Sequence, residues 1–167
     1  MPSNQSPLGA LPARFRRERL LIVGYGDVGQ RVARLLVASG RGRHGIQVLA
    51  LSRSSARFEQ LHAQAVKPLW GDLDEPASLR RLAGIATRVL HLAPPATPAA
   101  GDVNSWLDTR STALMRALRL RSLARSLVYA STSGVYGDCE GQWVSETRSV
   151  APTTARAQRR VNADRKS

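Results

Sequence analysis

Short apolar runs alternate with segments of helical periodicity along most of this 167-residue chain. The runs are almost continuously apolar, which is typical of parallel strands buried on both faces. They predict five strands, at residues 20–23, 47–51, 66–70, 87–92 and 126–131. The periodic segments predict helices at residues 28–39, 55–65, 75–82, 106–123 and 153–165. Repeated strand–helix units of this length imply right-handed crossovers, so we expect an α/β fold with a doubly wound parallel sheet.

Two of the predicted helices carry local signals that a structure can check. The first has apolar residues at helical spacing, which we expect to face the sheet: Val28, Val32, Leu35 and Leu36. In front of the helix at 75–82, Asp74 is a candidate N-cap, and Pro76 is tolerated in the first turn.

Three glycines occupy the turn between the first strand and the first helix, in the stretch LLIVGYGDVGQRVARLL. In this strand–turn–helix context, the spacing of Gly24, Gly26 and Gly29 predicts a dinucleotide site of the Rossmann type. Gly24 permits the tight turn, Gly26 lets the backbone approach a pyrophosphate, and Gly29 allows the helix to pack closely on the strand. Asp27 and Val28 join the predicted site, because a helix N-terminus offers free N–H groups to phosphates. Glycines that only shape the turn are the alternative interpretation.

The end of the second predicted strand bears on the choice of dinucleotide. NAD sites usually place an acid there to hold the ribose 2′-hydroxyl, but the stretch LSRSS contains none. Arg53 can bind a 2′-phosphate through charge-assisted hydrogen bonds, with a hydroxyl from Ser52 or Ser54 and help from Arg31 or Arg57. We therefore expect NADP(H) to be favoured over NAD(H). A solvated arginine on a basic surface is the plainer interpretation of Arg53.

Five segments, read in order, resemble a known family: GYGDVG, LSRS, GDLDEPASL, VLHLAPP and LVYASTSGVYGD. Over about residues 19–164 the chain is similar to the extended and atypical short-chain dehydrogenase/reductases, which include the NAD-dependent epimerase/dehydratases of nucleotide sugars. Extended members continue for about as many residues again, which complete the sheet and add a substrate domain. The resemblance therefore implies a Rossmann-type sheet that is incomplete at the C-terminus. We expect its last helix, rich in arginine, to lack much of its packing surface.

The resemblance also implies roles on the adenosine side of the site. Asp72 would hold the adenine amino group, and Leu73 would line the adenine pocket. Leu92 and Ala93, together with His91, would form the wall beside the adenosine ribose. A strand-end histidine satisfied by backbone groups is the plainer interpretation of His91.

On the catalytic side, the resemblance is incomplete. Ser131 and Thr132 match the hydroxyl segment after the fifth strand, and Thr132 aligns with the residue that hydrogen-bonds the reacting carbonyl or alcohol. The family also needs a tyrosine and, four residues later, a lysine, but these positions hold Arg156 and Arg160. Arginine stays protonated and is a poor general acid or base. Lys166 has no tyrosine partner, so the sequence leaves enzymatic activity open.

Charge adds a different hypothesis. The formal net charge is +13, and it comes almost entirely from arginine, since Lys67 and Lys166 are the only lysines. A basic surface attracts phosphates of any kind, including nucleic acid. These arginines are scattered along the chain, however, and charge alone specifies no groove or base contact, so the sequence does not favour nucleic acid as a partner.

Composition and residue counts bear on the domain organisation, membrane contact, location and metal content of the protein. We expect residues 1–18 to form a disordered basic leader and residues 19–167 to form the Rossmann domain, without a substrate domain. No apolar run approaches the roughly 20 residues of a membrane span, so we expect no membrane contact. Cys139 is the single cysteine, which is compatible with the cytoplasm. The three histidines show no metal-ligand spacing, so no metal is expected.

Three functions follow in order of support. The first is an NADP(H)-binding oxidoreductase or epimerase that transfers hydride at a hydroxyl or keto carbon of a small molecule such as a nucleotide sugar. The second is a non-catalytic dinucleotide-binding sensor or regulatory module, which the missing tyrosine and lysine favour. The third is a basic nucleic-acid-binding protein. Nothing in the sequence indicates the oligomeric state.

Overall fold

The computed structural model describes residues 18–39, 45–97, 106–121 and 123–166. It contains a five-stranded sheet in the order β3-β2-β1-β4-β5, and every pair of neighbouring strands is parallel. The strands are β1 Glu18–Val23, β2 Ile46–Ser52, β3 Lys67–Trp70, β4 Arg88–His91 and β5 Ser126–Tyr129. The α-helices are α1 Asp27–Ala38, α2 Phe58–Ala63, α3 Thr109–Arg119 and α4 Ala155–Lys166. The prediction of a Rossmann-type α/β sheet is confirmed.

Both faces of the sheet are covered. Successive side chains of a strand point to opposite faces, and Leu21, Ile22 and Val23 of β1 are all fully buried. Leu21 and Val23 belong to a core that includes residues of α3, whereas Ile22 belongs to a core that includes Ala33 of α1. This burial on two sides explains why the strands read as continuous apolar runs.

The strand register brings the carboxyl ends of the strands to one edge of the sheet. Val23 at the end of β1 pairs with Leu51 of β2 and with His91 of β4, and His91 in turn pairs with Tyr129 of β5. The chain leaves β1 toward β2 on one side and reaches β4 on the other. Ligands of open α/β sheets bind at this kind of switch point.

The predicted stripe of α1 is only partly correct. Val28 and Leu35 are exposed, at 59% and 71%, while the residues of α1 that are buried are Gly29 and Ala33. A Cβ on Gly29 would lie 3.1 Å from the carbonyl oxygen of Gly24. The helix therefore approaches the strand along its smallest residues, so Val28 and Leu35 are left on the outer side.

Two predicted helices are shorter or tighter than expected. Residues 55–65 form a 3₁₀ turn at Ser55–Arg57 followed by α2, and the helix expected at 75–82 is the 3₁₀ segment Pro76–Leu82. The N-cap of that segment is Glu75, without a side-chain cap bond. Asp74 is not the cap, because its carboxylate bonds to Arg110 instead.

The last helix packs better than its composition suggests. In α4 the side chains of Ala157, Val161 and Ala163 are buried, and so are those of Arg159 and Arg160. The expectation that this basic helix lacks packing surface is therefore wrong for its inner face, where two arginines are buried together with small apolar residues. Within the described residues, no helix is long and apolar enough to cross a membrane.

Candidate functional site

The turn after β1 is held closed by contacts that only glycine permits. Gly24 has φ of +95°, and a Cβ at this position would lie 2.4 Å from the backbone nitrogen of Ala93. The N–H of Gly26 donates to the carbonyl of Gly24 at 2.9 Å. Gly24 therefore lets β1 turn sharply while the chain after β4 crosses directly beside it.

Gly26, unlike Gly24, lies beside open space. A Cβ added there would meet no atom within 4 Å, and the residue has an ordinary extended backbone with φ of −89°. It forms the N-cap of α1 without a side-chain cap bond, so the first N–H groups of the helix, beginning at Asp27 and Val28, have no acceptor within the helix. The turn thus presents donor groups beside open space.

A cavity of about 490 Å³ lies at the carboxyl ends of the strands, next to this turn. It is bordered by the ends of β1 and β2 and by the loops after β3 and β4. Six of the predicted site residues line it: Gly24, Ser52, Arg53, Asp72, Leu73 and Ala93. Leu92 packs against the core on the α1 side. The structure thus gathers most of the predicted adenosine side into one concave surface.

The end of β2 forms a small polar turn at the rim of this cavity. Ser52 Oγ donates to the carbonyl of Ser54 at 3.0 Å and accepts from the Ser54 N–H at 3.3 Å. Arg53 between them is exposed. Arg57 donates to the Tyr25 carbonyl at 3.2 Å and so connects this turn to the glycine turn. Of the two candidate helpers, Arg57 borders the cavity, whereas Arg31 pairs with Asp27 on the exposed face of α1.

The loop after β3 is braced by its own hydroxyl and backbone groups. Ser78 Oγ accepts from the Asp72 N–H at 2.9 Å and donates to the Glu75 carbonyl at 2.7 Å. Asp72 Oδ1 accepts from the Asp74 N–H at 3.0 Å. The carboxylate of Asp72 is therefore held in a fixed place at the cavity border.

Sequence reasoning missed Arg110, a residue of α3 that lines the same cavity. Its Nε and Nη2 donate to the two carboxylate oxygens of Asp74 at 2.7 and 2.5 Å. This contact with Arg110 lowers the pKa of Asp74, and the charge of Arg53 lowers it further. No short-range pattern could have found the pair, because the partners are 36 residues apart in the chain.

His91 is part of a buried hydrogen-bonded chain behind the cavity. Its ring is fully buried, and Nε2 lies 2.8 Å from Ser111 Oγ. Ser111 Oγ donates to Asp108 Oδ2 at 2.6 Å, which leaves His91 Nε2–H as the donor to Ser111. Burial lowers the pKa of His91 to about 4. The imidazole is therefore neutral near pH 7, and its Nε2 is bound by a side chain, Ser111, where the plainer interpretation expected backbone.

The hydroxyl segment after β5 lies apart from the cavity. Ser131 and Thr132 are exposed, and Thr132 Oγ1 accepts from the Gly134 N–H at 3.4 Å as the N-cap of a 3₁₀ segment. Arg160 donates to the Ala130 carbonyl from Nη1, and its guanidinium lies 5.3 Å from the Tyr129 ring centre. Arg156, in contrast, is exposed. Arg156 and Arg160, which are predicted to occupy the tyrosine and lysine positions, thus have different environments.

Metal chemistry receives no support from the part of the chain that the structure describes. There, no group of three or more histidine, cysteine or acidic residues is placed to hold a metal ion. Cys139 is half-buried, and its thiol is near the Tyr136 and Gly137 carbonyls.

Comparison with known proteins gives a consistent result. A sequence profile of the NAD dependent epimerase/dehydratase family matches residues 20–160. Among solved structures, a functionally unknown conserved protein from Silicibacter pomeroyi is similar at 28% identity and a TM-score of 0.64, over 89% of this chain and 47% of the other. No curated protein gives a significant match.

Two further structures are similar at lower identity and therefore support the fold alone. UDP-glucose 4-epimerase from Thermus thermophilus, in complex with NAD, has 23% identity and a TM-score of 0.67, over 89% of this chain and 49% of the other. A short-chain dehydrogenase/reductase superfamily protein from Agrobacterium tumefaciens, with bound NAD, has 19% identity and a TM-score of 0.66, over 89% and 43%. This chain spans about half the length of these structures.

Proposed function

Since this chain belongs to the NAD dependent epimerase/dehydratase family, we propose that it binds a nicotinamide dinucleotide at the glycine turn, with NADP(H) preferred over NAD(H). The observation that carries the proposal is the contrast within the turn. Gly24 is packed against Ala93, but Gly26 faces open space beside the N-terminus of α1. An open glycine at a helix N-terminus is where a pyrophosphate approaches the backbone in Rossmann-type sites.

The preference for NADP(H) rests on the end of β2. No acid borders the cavity at this strand end; the residues there are Ser52, Arg53 and Ser54. Ser52 and Ser54 hold the turn in shape through their mutual hydrogen bonds. Arg53 supplies the charge that a ribose 2′-phosphate would require.

We further propose hydride transfer at a hydroxyl or keto carbon as the reaction, with Ser131 beside the cofactor and Thr132 holding the reacting oxygen. A nucleotide sugar is the substrate class that the family suggests, and residues 19–167 form the binding domain of a cytoplasmic protein. A second candidate, a non-catalytic dinucleotide-binding module, is favoured by one observation. Arg160 is buried and donates to the Ala130 carbonyl, so the position of the family's lysine serves packing here.

Nucleotide titration tests the binding proposal directly. Purified chain is titrated with NADPH and NADH while nicotinamide fluorescence is recorded, for the wild type, Arg53→Asp and the control Arg119→Asp. Arg119 is exposed at the end of α3 and does not border the cavity. We expect Arg53→Asp to weaken NADPH binding by about tenfold or more while NADH binding is kept, since one charge-assisted pair contributes roughly 1.5–3 kcal/mol. Failure of the folded wild type to bind either nucleotide would overturn the proposal.

Turnover and salt dependence separate the alternatives. Oxidation of NADPH by a keto sugar, or reduction of NADP⁺ by a nucleotide sugar, would support the enzyme, and tight binding without turnover would support the non-catalytic module. A steep loss of random-duplex binding with rising salt, in a chain that binds no dinucleotide, would instead support the nucleic-acid hypothesis.

A further inference from the structure

Arg110 joins three separate parts of the molecule at one side of the cavity. It extends from the first turn of α3, binds Asp74 in the loop after β3 through two hydrogen bonds, and approaches the Pro94 carbonyl in the loop after β4 at 3.4 Å. Its side chain is 23% exposed, compared with 47% for Asp74. An ion pair that holds both partners in this bidentate geometry is more ordered than a single surface contact.

The first turn of α3, which carries Arg110, is itself fixed by hydrogen bonds on its buried side. Asp108 caps α3 by accepting from the Ser111 N–H at 3.1 Å, and Ser111 is tied to His91 of β4. The position of Arg110 is therefore set by the end of β4 as well as by Asp74.

Most of the N–H donors of the Arg110 guanidinium already have acceptors within the protein. Nε and Nη2 face a carboxylate, and Nη1 is directed to the Pro94 carbonyl. The carboxylate also neutralises the charge, so Arg110 is poorly suited to bind a phosphate. What it can offer a ligand in the cavity is its flat face, and guanidinium planes stack on aromatic rings. Asp72 and Leu73 border the same cavity.

We propose that Arg110, oriented by its two hydrogen bonds to Asp74, is a specificity-determining residue that stacks on the purine base of the bound nucleotide. The inference rests on the proposed dinucleotide site and assigns different tasks to two of the arginines that border the cavity. Arg53 distinguishes a ribose that carries a 2′-phosphate from one that does not. Arg110 recognises the base by stacking the plane of its guanidinium on it. Lysine, which has no planar group, cannot replace it.

The test measures binding of ADP-ribose, which carries the base, and of nicotinamide mononucleotide, which lacks it, by calorimetry. The variants are Arg110→Ala, Arg110→Lys and Asp74→Asn, with Arg116→Ala as the control. Arg116 lies on the same helix but borders a different cavity, between α3 and the 3₁₀ segment Pro76–Leu82. Circular dichroism and urea unfolding verify that each variant is folded.

We expect Arg110→Ala and Arg110→Lys to weaken ADP-ribose binding by about tenfold, which is the effect of a desolvated stacking contact. Asp74→Asn keeps the guanidinium but removes its bidentate support, so we expect a loss of about threefold. Mononucleotide binding, the slope of ADP-ribose affinity against salt, and the Arg116→Ala control are expected to stay unchanged.

The unfavourable outcomes are distinguishable. If the wild type binds ADP-ribose and Arg110→Ala binds it as tightly as Arg116→Ala, this inference is overturned and the dinucleotide site remains. If Arg110→Lys retains full affinity, or if Arg110→Ala reduces the salt slope, Arg110 acts as a point charge and the stacking role is wrong. If the folded wild type binds neither ADP-ribose nor NADPH, both proposals are overturned.

Discussion

Gly24 and Ala93 are in direct backbone contact: a Cβ on Gly24 would lie 2.4 Å from the Ala93 nitrogen. The Ala93 N–H donates to the Val23 carbonyl at 3.0 Å, so the approach is fixed by hydrogen bonding. Two residues further along the same turn, Gly26 meets nothing within 4 Å. One glycine is thus required by the fold, whereas the other leaves space beside α1.

The two glycines should therefore respond differently to alanine. Gly24→Ala forces a Cβ into backbone at a positive φ, so we expect a loss of about 3 kcal/mol or more in the free energy of unfolding. Gly26→Ala should change it by less than about 1 kcal/mol and yet weaken NADPH binding by at least about tenfold. Urea unfolding and nicotinamide fluorescence measure the two effects. Normal NADPH affinity in Gly26→Ala would contradict a close pyrophosphate.

Stability should fall in mild acid because of His91. Its pKa is lowered by burial from 6.5 to about 4, so between these values the unfolded chain binds a proton that the folded protein does not. The neutral His91 therefore makes its full contribution to the free energy of unfolding above about pH 6.5. This contribution is lost as the pH falls toward 4, by up to about 3 kcal/mol. Urea unfolding at pH 7 and pH 5 should show this loss in the wild type and a smaller one in His91→Asn. An equal loss in both proteins would assign the effect to other groups.

The two arginines in α4 should differ in their importance for stability. Arg160 is buried, donates to the Ala130 carbonyl and lies over Tyr129. Arg160→Ala would leave a cavity and an unpaired carbonyl, so we expect a loss of about 2–4 kcal/mol. Arg156→Ala, four residues earlier on the exposed side, should change stability by less than about 0.5 kcal/mol. Thermal and urea unfolding of both variants provide the comparison, and equal stabilities would argue against a packing role for Arg160.

The contribution of the α3 cap to stability can be tested by comparing Asp108 with Asp27, an aspartate in the first turn of α1. Asp108 is buried and accepts from both the N–H and the hydroxyl of Ser111, so Asp108→Ala should cost about 2–4 kcal/mol in unfolding free energy. Asp27→Ala removes only an exposed pair with Arg31 in the first turn of α1, worth about 0.5 kcal/mol. Urea unfolding should show this difference, and a small effect at Asp108 would mean that the helix start is held by other contacts.

The fold class was predictable because its signals are local. Continuous apolar runs such as the one in β1, and the glycine turn that follows it, report burial and backbone geometry within a few residues of chain. The same locality explains the errors. Asp74 has the chemistry of an N-cap, and Val28 and Leu35 have the spacing of a buried stripe, but short sequence patterns carry no information about a partner elsewhere in the chain.

The sequence by itself determined the parallel α/β sheet and the glycine turn that follows its first strand. Only the tertiary structure decided which polar groups meet at the strand ends. Asp74 pairs with Arg110 across 36 residues, and His91 with Ser111 across 20. Such contacts depend on how separate strand–helix units are brought together in space, because hydrogen bonds and ion pairs are set by distance in the folded molecule and not by distance along the chain.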